Sequence, residues 1–363
     1  MWPNSRLCEL TGIEHPIIQA PMAGSATPEL AAAVSNAGGL GSLGCAELSA
    51  DHLEATVKRL RMLTNRPFNL NFFAHPAPAV TLADFERARE RLKPYYQALS
   101  LSLPKTLPSC GPGFDETRLQ LVLELRPHVI SFHFGLPDPA TVSSLKKAGI
   151  IILSTATTVA EAVYLSSSGV DAIIAQGYEA GGHRGSHQPR EPWDGVGLMS
   201  LLPQVADAIE QPVIAAGGIA DGRGIAAAFA LGASGVQMGT TFLSCPEAGT
   251  DRARRAMRRT SKDTDTMMTD AFSGRAARAV RNRYALEMLE QRGPVLAFPL
   301  LYNLTDPLRE ADEGSQDFGF HLYGQSAALS REVPAADLVN QLVAETEREI
   351  AKLVSGHQPH NPT

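Results

Sequence analysis

Short apolar runs, each followed by a segment in which apolar residues recur with helical spacing, repeat along the first 245 residues of the chain. The short runs are typical of buried strands, and the longer segments are typical of helices that cover one side of a sheet. The starts of consecutive runs are often about twenty residues apart, which is the length of one strand–helix unit. The eight runs begin at His15, Gly38, Arg66, His128, Gly149, Val170, Gln211 and Ala233.

Capping residues mark where the helices between these runs begin and end. The predicted N-caps are Thr27, Ser49, Asp138 and Asp221, and the predicted helix stops are Gly38, Gly149, Gly169 and Gly232. Regular alternation of strand and helix requires parallel strands joined by right-handed crossovers. Eight such units predict an α/β protein built on a closed (β/α)₈ barrel, the TIM barrel.

Two wider gaps and a change of pattern divide the chain further. Residues 75–127 predict an extra helix and a connection around the fourth unit, and residues 183–197 form a polar, proline-rich loop long enough to cover an active site. Beyond the eighth run the chain becomes helical and basic, and then rich in loops. We therefore expect a barrel made of residues 1–245 and 327–363, with residues 246–326 forming a smaller cap domain over its mouth.

Composition narrows the kinds of partner that the chain can have. It has 363 residues, is 44% hydrophobic and 19% charged, and carries a formal net charge of −6, which is ordinary for a globular protein. A mild negative charge argues against nucleic acid or an anionic membrane as a partner, and we expect the one basic cluster, residues 252–259, to be a solvated helix face. No apolar run approaches the ~18 residues that span a bilayer.

The N-terminus lacks the pattern of a secretory signal, and the four cysteines are scattered without the spacing of metal ligands. We expect buried free thiols in a cytoplasmic protein that holds no metal. The four positions are Cys8, Cys45, Cys110 and Cys245.

Glycine-rich segments follow the seventh and eighth apolar runs. Paired Gly217 and Gly218, and the segment Gln237-Met238-Gly239-Thr240, would let backbone N–H groups approach a phosphate closely. A phosphate site after strands seven and eight is a recurrent feature of the barrel. A tight turn is the alternative interpretation of the two glycines. "GGLGSLG" matches a dinucleotide pattern only superficially, because no acidic residue follows at the proper place, and we interpret it as a strand.

Residues at the ends of other strands suggest which phosphate ligand binds. The segment "APMAG", which begins with Ala20, Pro21 and Met22, has small residues and a proline, so its backbone can lie flat against a planar ring. Asn71 and Gln176 supply amides that could contact the edge of a pyrimidine-like ring, although a turn-stabilising amide and a barrel-interior hydrogen bond explain them equally well. Together with a phosphate site, the two amides favour FMN.

Histidines supply the candidate acid–base chemistry. His183 follows Gly181 and Gly182 in a loop, and an imidazole can act as base, acid or neutral donor near neutral pH. His133 either lines the ligand pocket or fills the barrel, and we expect His75 and His187 to be structural. Three further side chains in this region are expected to order the loop by ion pairing: Glu179, Arg184 and Arg190.

Taken in order, these motifs resemble those of the nitronate monooxygenases, once called 2-nitropropane dioxygenases. The similarity covers residues 12–330 and rests on "QAPMAG", "GGLGSLG", "NLNFF", "AQGYEAGGHRG", "AAGGIADGRG", "QMGTTFL", "SGRAARAVRN" and "GQSAAL". The resemblance implies a noncovalent FMN enzyme that oxidises alkyl nitronates, such as the respiratory poison propionate 3-nitronate, with dioxygen to a carbonyl compound and nitrite. It matches His183 to the catalytic histidine of the family, and Gly181 and Gly182 before it would admit the ring of the cofactor. By position it assigns FMN binding to Asn71, Gln176, Gly181, Gly218 and the run Gln237-Met238-Gly239-Thr240. Met22, Tyr302 and Tyr323 are left as pocket residues or core residues.

Three other functions remain open at this stage. An NAD(P)H-dependent quinone reductase or enoyl-acyl carrier protein reductase would share the phosphate loops but needs a second nucleotide site. A relative of inosine monophosphate dehydrogenase needs a nucleophilic cysteine, for which Cys245 is poorly placed. A flavin carrier without catalysis is the third, and a homodimer is a further expectation.

Overall fold

The computed structural model describes residues 2–108, 110, 113–291, 293–312 and 316–355. The strands are β1 (Ile17–Gln19), β2 (Gly41–Gly44), β3 (Phe68–Phe73), β4 (Val129–His133), β5 (Ile151–Ala156), β6 (Ala172–Gln176), β7 (Gly182–His183), β8 (Val213–Ala216), β9 (Gly235–Met238), β10 (Thr266–Thr269) and β11 (Ala277–Val280).

The helices are α1 (Arg6–Thr11), α2 (Pro28–Asn36), α3 (Ala50–Leu63), α4 (Leu82–Ala98), α5 (Glu116–Leu125), α6 (Pro139–Lys147), α7 (Val159–Ser167), α8 (Leu198–Ala208), α9 (Gly222–Ala230), α10 (Arg252–Thr260), α11 (Arg283–Glu290), α12 (Leu300–Glu310) and α13 (Ala335–Ser355). Two short 3₁₀ turns cover Phe242–Ser244 and Ala327–Leu329.

Eight parallel strands form one sheet in the order β1, β9, β8, β6, β5, β4, β3, β2. The sheet closes between its first and last strands, because Gln19 N donates to Leu40 O at 3.0 Å and Leu40 N donates to Ile17 O at 2.9 Å. The eight strands are those that the apolar runs predict, so the predicted (β/α)₈ barrel is confirmed.

Local sequence signals explain where the barrel helices begin and end. All four predicted N-caps accept a backbone hydrogen bond from the first turn; the Asp221 carboxylate, for example, accepts from Gly224 N at 3.2 Å. All four predicted stop glycines have a left-handed backbone, with φ between 75° and 99°. Glycine adopts this conformation without the penalty that a Cβ imposes.

Alternating side chains along the strands separate the inside of the barrel from its helical coat. Ile18, Ile174 and Ile214 come from three strands and pack together inside the barrel. Their neighbours Ile17 and Ile173 belong instead to the cluster formed with the covering helices. This alternation of strand side chains fixes the register, and with it the residues that emerge at the carboxyl end of each strand.

A second layer stands on the barrel. Its core joins α4, which lies between the third and fourth barrel strands, to α11 and α12, with Phe85, Tyr96 and Tyr284 fully buried. A small antiparallel sheet, β10–β11–β7, connects this layer to the barrel. The predicted cap, residues 246–326, thus shares its core with α4, and its boundaries stay a prediction.

Two sequence-based expectations are revised here. The basic cluster is not only a solvated face, because Arg258 in α10 is buried and donates to the Leu243 carbonyl. The four cysteines are free, but Cys8 and Cys110 are partly exposed while Cys45 and Cys245 are buried. Within the described residues, no helix has both the length and the apolar character that crossing a membrane takes.

Candidate active site

The carboxyl ends of the barrel strands open into one cavity of about 730 Å³. Every residue that the sequence prediction placed at the site lines this cavity. They are Ala20, Pro21, Met22, Asn71, His133, Gln176, Gly181, Gly182, His183, Gly217, Gly218, Gln237, Met238, Gly239, Thr240, Tyr302 and Tyr323. Parallel strands bring these distant sequence positions together because all eight end at the same face.

Backbone N–H groups at the ends of β8 and β9 are free to bind a ligand. Gly217 and Gly218 are left-handed, with φ of 109° and 72°. Within the described chain, the N–H groups of Gly218, Gly239 and Thr240 donate to no protein acceptor. The hydroxyl of Thr240 accepts from Gly324 N at 2.9 Å, which fixes the second loop. N–H donors without acceptors at the ends of two neighbouring strands are suited to binding a phosphate.

The amides at the strand ends differ in how fully the protein satisfies them. Gln176 is held by its own loop, since its Nε2 donates to His183 O at 3.0 Å and its Oε1 accepts from Gly185 N at 2.8 Å. The Nδ2 of Asn71 donates to Ser131 Oγ at 2.9 Å. Gln237 Oε1 is an enclosed acceptor without a partner in the described chain. A buried acceptor of this kind is costly unless a ligand donates to it.

The backbone of His183 is fixed from two sides. Its strand β7 pairs with β11, which places His183 opposite Ala277. Its carbonyl accepts from Gln176 Nε2 and from His133 Nε2 at 3.1 Å. The sequence placed His183 in a loop, and pairing with a strand almost a hundred residues later is the contact that local patterns cannot reveal.

The imidazole of His183 lies among aromatic rings and bears no charge at neutral pH. The rings of Phe298, Phe320 and Phe134 meet it edge-on, with centroids 5.5, 5.8 and 5.9 Å away. Its Nε2 lies 2.9 Å from the Oγ of Ser273. Burial, reinforced by nearby His133 and Arg275, lowers the pKa of His183 to about 3. An unprotonated ring nitrogen is therefore available across the physiological range.

His133 contacts the backbone carbonyl of His183, and its ring has a defined tautomer. A carbonyl can only accept, so the Nε2 that contacts His183 O carries the hydrogen, and Nδ1 accepts from Thr155 Oγ1 at 3.1 Å. Burial lowers the pKa of His133 to about 4. The alternatives for His133 were pocket lining and barrel filling, and the residue lines the cavity.

Phe134, which has a strained backbone, packs against Arg275 beside the histidines. Phe134 is almost fully buried with φ of 71°, a left-handed conformation that is rare for an aromatic residue. The guanidinium of Arg275 lies 4.1 Å from the centroid of its ring, and burial lowers the pKa of Arg275 to about 10. Strained residues of this kind concentrate at functional sites.

The outer part of the cavity carries charged and phenolic groups. The guanidinium of Arg309 lies 4.0 Å from the ring centroid of Tyr302. The hydroxyl of Tyr323 is 2.7 Å from that of Ser261. Arg254 and Arg258 of α10 also line this part, which the sequence interpretation of a solvated helix face missed.

The charged residues on both sides of His183 differ from their predicted role of ordering the loop by ion pairing. Glu179 accepts from Leu198 N rather than pairing with an arginine, and Arg184 donates to the carbonyls of Gln176 and Gly177. Among the residues that the structure describes, Arg190 alone of the three forms an ion pair, with Asp194 at 3.1 Å. Residues 187–193 line a second cavity, which Phe298 also lines, and are not among the residues that line the first.

Two of the other histidines have different surroundings. His187 contacts the carbonyl of Thr155 through Nε2 at 3.2 Å. His75 is packed among Phe73, Phe134 and Phe298, and both of its ring nitrogens are enclosed without a partner in the described chain.

The fold and the cavity define a (β/α)₈-barrel enzyme with one reaction site at the carboxyl ends of its strands. A family model described as nitronate monooxygenase matches residues 4–345. A nitronate monooxygenase of Paraburkholderia phytofirmans is 43% identical over 352 residues, which cover 96% of both chains. Another from Pseudomonas aeruginosa is 43% identical over 353 residues, covering 94% of this chain and 99% of its own.

Solved structures agree with this assignment. A nitroalkane oxidase from Streptomyces ansochromogenes is similar over 96% of this chain and 100% of its own, with a TM-score of 0.88 and 40% identity. FabK from Thermotoga maritima is more distant, with a TM-score of 0.76 and 30% identity over 98% of this chain and 100% of its own. The chain belongs to the nitronate monooxygenase family and is a flavin-dependent oxidoreductase.

Sequence reasoning missed several residues that complete the site. Ser273 lies inside the motif "SGRAARAVRN" but its contact with His183 has no local signal. The aromatic rings around His183 come from three separate regions of the chain, at Phe134, Phe298 and Phe320. Only the phenylalanine that follows His133 could have been noticed, since "SFHFG" ends a predicted strand.

Proposed function

We propose that the protein is an FMN-dependent enzyme that oxidises alkyl nitronates with dioxygen, giving a carbonyl compound and nitrite. The observation that carries the proposal is that one cavity brings together free backbone donors, an orphaned amide oxygen and an uncharged imidazole. Family membership supplies the reaction class, and propionate 3-nitronate is the substrate that we expect to be turned over.

FMN fits the residues that line the cavity. The N–H groups of Gly218, Gly239 and Thr240 would hold its phosphate, since they have no acceptor within the described chain. Gln237 Oε1 would accept from an N–H group of its ring system. The backbone from Ala20 to Met22 offers a surface against which that ring system can lie. When bound, the flavin supplies the electron acceptor of the reaction.

The chain's own contribution to the reaction centres on His183. A nitronate is already deprotonated, so its oxidation needs no base, and the imidazole would then orient the substrate. A neutral nitroalkane must first lose its α-proton, and the unprotonated nitrogen of His183 would accept it. Aromatic rings pack around the imidazole, and an apolar surrounding of this kind strengthens the polar interactions that the ring makes.

Anaerobic mixing separates this function from its main alternative. FabK-like barrels are similar to this chain at 30% identity, which favours an NAD(P)H-dependent reductase as the second candidate. Under nitrogen, propionate 3-nitronate should bleach the flavin absorbance of the purified protein, and NADH or NADPH should leave it unchanged. Rapid bleaching by a nicotinamide cofactor, with none by the nitronate, would replace the proposal by the reductase.

A relative of inosine monophosphate dehydrogenase and a flavin carrier without catalysis are the other two alternatives, and each is tested by a different observation. Burial raises the pKa of Cys245 to about 12, which removes the thiolate that an inosine monophosphate dehydrogenase relative requires. A flavin carrier would remain coloured but inert towards every nitronate. The identity of the flavin follows from denaturing the protein and separating FMN from FAD by chromatography, where FAD alone would contradict the proposal.

We further propose that the protein acts in the cytoplasm, where its four free thiols stay reduced, and that it forms a homodimer. Light scattering coupled to size-exclusion chromatography measures the molar mass and therefore tests the homodimer. A mass near the 38.7 kDa of one chain would contradict the dimer.

A further inference from the structure

Ser273 is the one side chain that contacts a ring nitrogen of His183 in the described chain. Its Oγ lies 2.9 Å from Nε2, and the residue is only 1% exposed. Ser273 belongs to the turn between β10 and β11, so it reaches the barrel histidine from the second layer. Its position is fixed, because its Oγ also lies 3.1 Å from the carbonyl oxygen of Arg275.

The hydrogens at this serine can be assigned from donor and acceptor chemistry. A hydroxyl has one hydrogen, and the Arg275 carbonyl can only accept it. If the hydroxyl donates to Arg275 O, its oxygen accepts from Nε2–H of His183, and every group is satisfied. The reverse arrangement would leave the carbonyl of Arg275, a buried residue, without a donor in the described chain. An unmade buried hydrogen bond is unfavourable, so the first arrangement is preferred.

The other ring nitrogen of His183 is then the acceptor. Nδ1 has no protein partner and is not among the enclosed polar atoms of the described chain, so it is open to the cavity that the residue lines. Rotation of the ring is opposed by the three surrounding phenylalanines. The backbone is held at the same time by β11 and by the two donors to the His183 carbonyl.

We propose that Ser273 is a positioning residue that holds His183 as the Nε2–H tautomer and thereby presents Nδ1 to the substrate as the proton acceptor. The inference rests on the proposed function, and it concerns neutral nitroalkanes. The α C–H bond breaks and its electron pair forms the C=N bond of the nitronate, while the π pair of the nitro N=O bond moves onto its oxygen. The proton moves to Nδ1. In the resulting imidazolium, Nε2–H still donates a hydrogen bond to Ser273 Oγ. That bond is strengthened because the Ser273 hydroxyl donates in turn to the Arg275 carbonyl.

Nitrogen NMR of protein labelled with ¹⁵N-histidine tests the tautomer without any turnover. The His183 signals are those that disappear in His183→Asn. We expect Nε2 to carry the hydrogen and Nδ1 to be unprotonated at pH 7, and a hydrogen on Nδ1 would overturn the proposal. The NMR result does not depend on which substrate the enzyme uses. If the proposed function failed, the tautomer of His183 could still be measured, so the two failures are distinguishable.

Kinetics of Ser273→Ala then test the consequence. Loss of the tautomer preference should lower kcat with neutral nitroethane about tenfold, with KM nearly unchanged, while turnover of ethylnitronate falls less than about twofold. Ser273→Thr keeps the hydroxyl, so it should retain most of the kcat with neutral nitroethane. If the alanine variant does not fold, the threonine variant still tests the proposal. Equal losses with both substrates would show a merely structural role and overturn the proposal.

Ser35 offers a matched control. Its buried hydroxyl donates to Pro67 O at 2.8 Å and accepts from Gly41 N at 3.1 Å, an arrangement like that of Ser273, but it lines neither cavity. Ser35→Ala should leave the His183 spectrum and the ratio of the two activities unchanged. A change of that ratio equal to the change in Ser273→Ala would contradict a specific role for Ser273.

Discussion

His183 of the barrel lies opposite Ala277 of the second layer in a small antiparallel sheet. The position of the imidazole at the cavity therefore depends on β11, a strand of the second layer, as well as on the barrel. Its carbonyl is held from the barrel side by Gln176 and His133. This double attachment explains how a residue between two flexible glycines and a long loop can hold a defined position.

His183→Asn should keep the bound flavin and its yellow colour but lose turnover, because asparagine fills part of the space without supplying a proton acceptor. We expect losses of about 10²-fold or more with neutral nitroalkanes, the range of general acid–base contributions, and smaller losses with nitronates. Oxygen uptake measures the turnover rate with each of the two substrate classes. His187→Asn is the matched control, since His187 lies four residues away and lines only the second cavity. Full activity in His183→Asn would remove the imidazole from the reaction.

Gly218→Leu should release the flavin. The backbone at Gly218 is left-handed with φ of 72°, and a side chain there would meet the Cβ of Glu179 at 3.4 Å and disturb the free N–H group. Gly149→Leu introduces the same strain at φ of 75° in open space far from the cavity. Both variants should lose about 1–2 kcal/mol of stability, but only the first should lose flavin on dialysis. Equal retention of flavin by both would argue against the proposed phosphate site.

Gln237→Leu should have opposite effects on the free and the flavin-bound protein. Removing an enclosed acceptor that has no partner among the described residues should stabilise the apoprotein, by up to about 1 kcal/mol. The same change should weaken FMN binding about tenfold, because a ring N–H would lose its acceptor. Thermal melts of the apoprotein and fluorescence titration with FMN give the two values. Unchanged FMN affinity would show that Gln237 does not contact the flavin.

The barrel was predictable because each of its elements has a local signal. Strand runs, N-caps such as Thr27 and stops such as Gly149 are all read from neighbours in sequence, and all are confirmed. The cavity lining was predictable for the same reason, since parallel strands all deliver their ends to one face. The contacts between layers were not: the pairing of β7 with β11, and of His183 with Ser273, join segments about 90 residues apart that share no periodic pattern.

Errors in the sequence interpretation have a common physical cause. Arginine was expected on solvated surfaces, but Arg258 is buried because its guanidinium satisfies backbone carbonyl and hydroxyl groups near Leu243 and Ser244. Glu179 and Arg184 were expected to pair with opposite charges, and they bind backbone groups instead. Charge–backbone hydrogen bonds depend on tertiary position, which composition does not encode.

His75→Phe should stabilise the protein. Both ring nitrogens of His75 are enclosed without partners in the described part of the chain, and three phenylalanines surround the ring. Replacing it by a similar apolar ring removes the desolvation cost, and we expect the free energy of unfolding to rise by about 1 kcal/mol. Urea unfolding at pH 7 measures the change. A loss of stability would mean that the nitrogens of His75 are satisfied in solution.

Stability should fall as the pH is lowered from about 6.5 towards 4. Burial lowers the pKa of His75 and of His133 from 6.5 to about 4, and that of His183 to about 3. Between these values the unfolded chain binds protons that the folded chain does not, so the free energy of unfolding rises with pH across this window. The urea midpoint recorded between pH 4 and pH 7 tests this expectation. In His75→Phe the dependence should be shallower, and an identical slope would contradict the contribution of His75.

The most direct test of the proposed reaction follows dioxygen and nitrite together. Purified flavin-bound protein in air-saturated buffer at pH 7 should consume dioxygen when propionate 3-nitronate is added, release nitrite in step with the nitronate consumed, and show no dependence on NADH or NADPH. A protein that retains its flavin yet leaves both dioxygen and nitronate untouched would contradict the account.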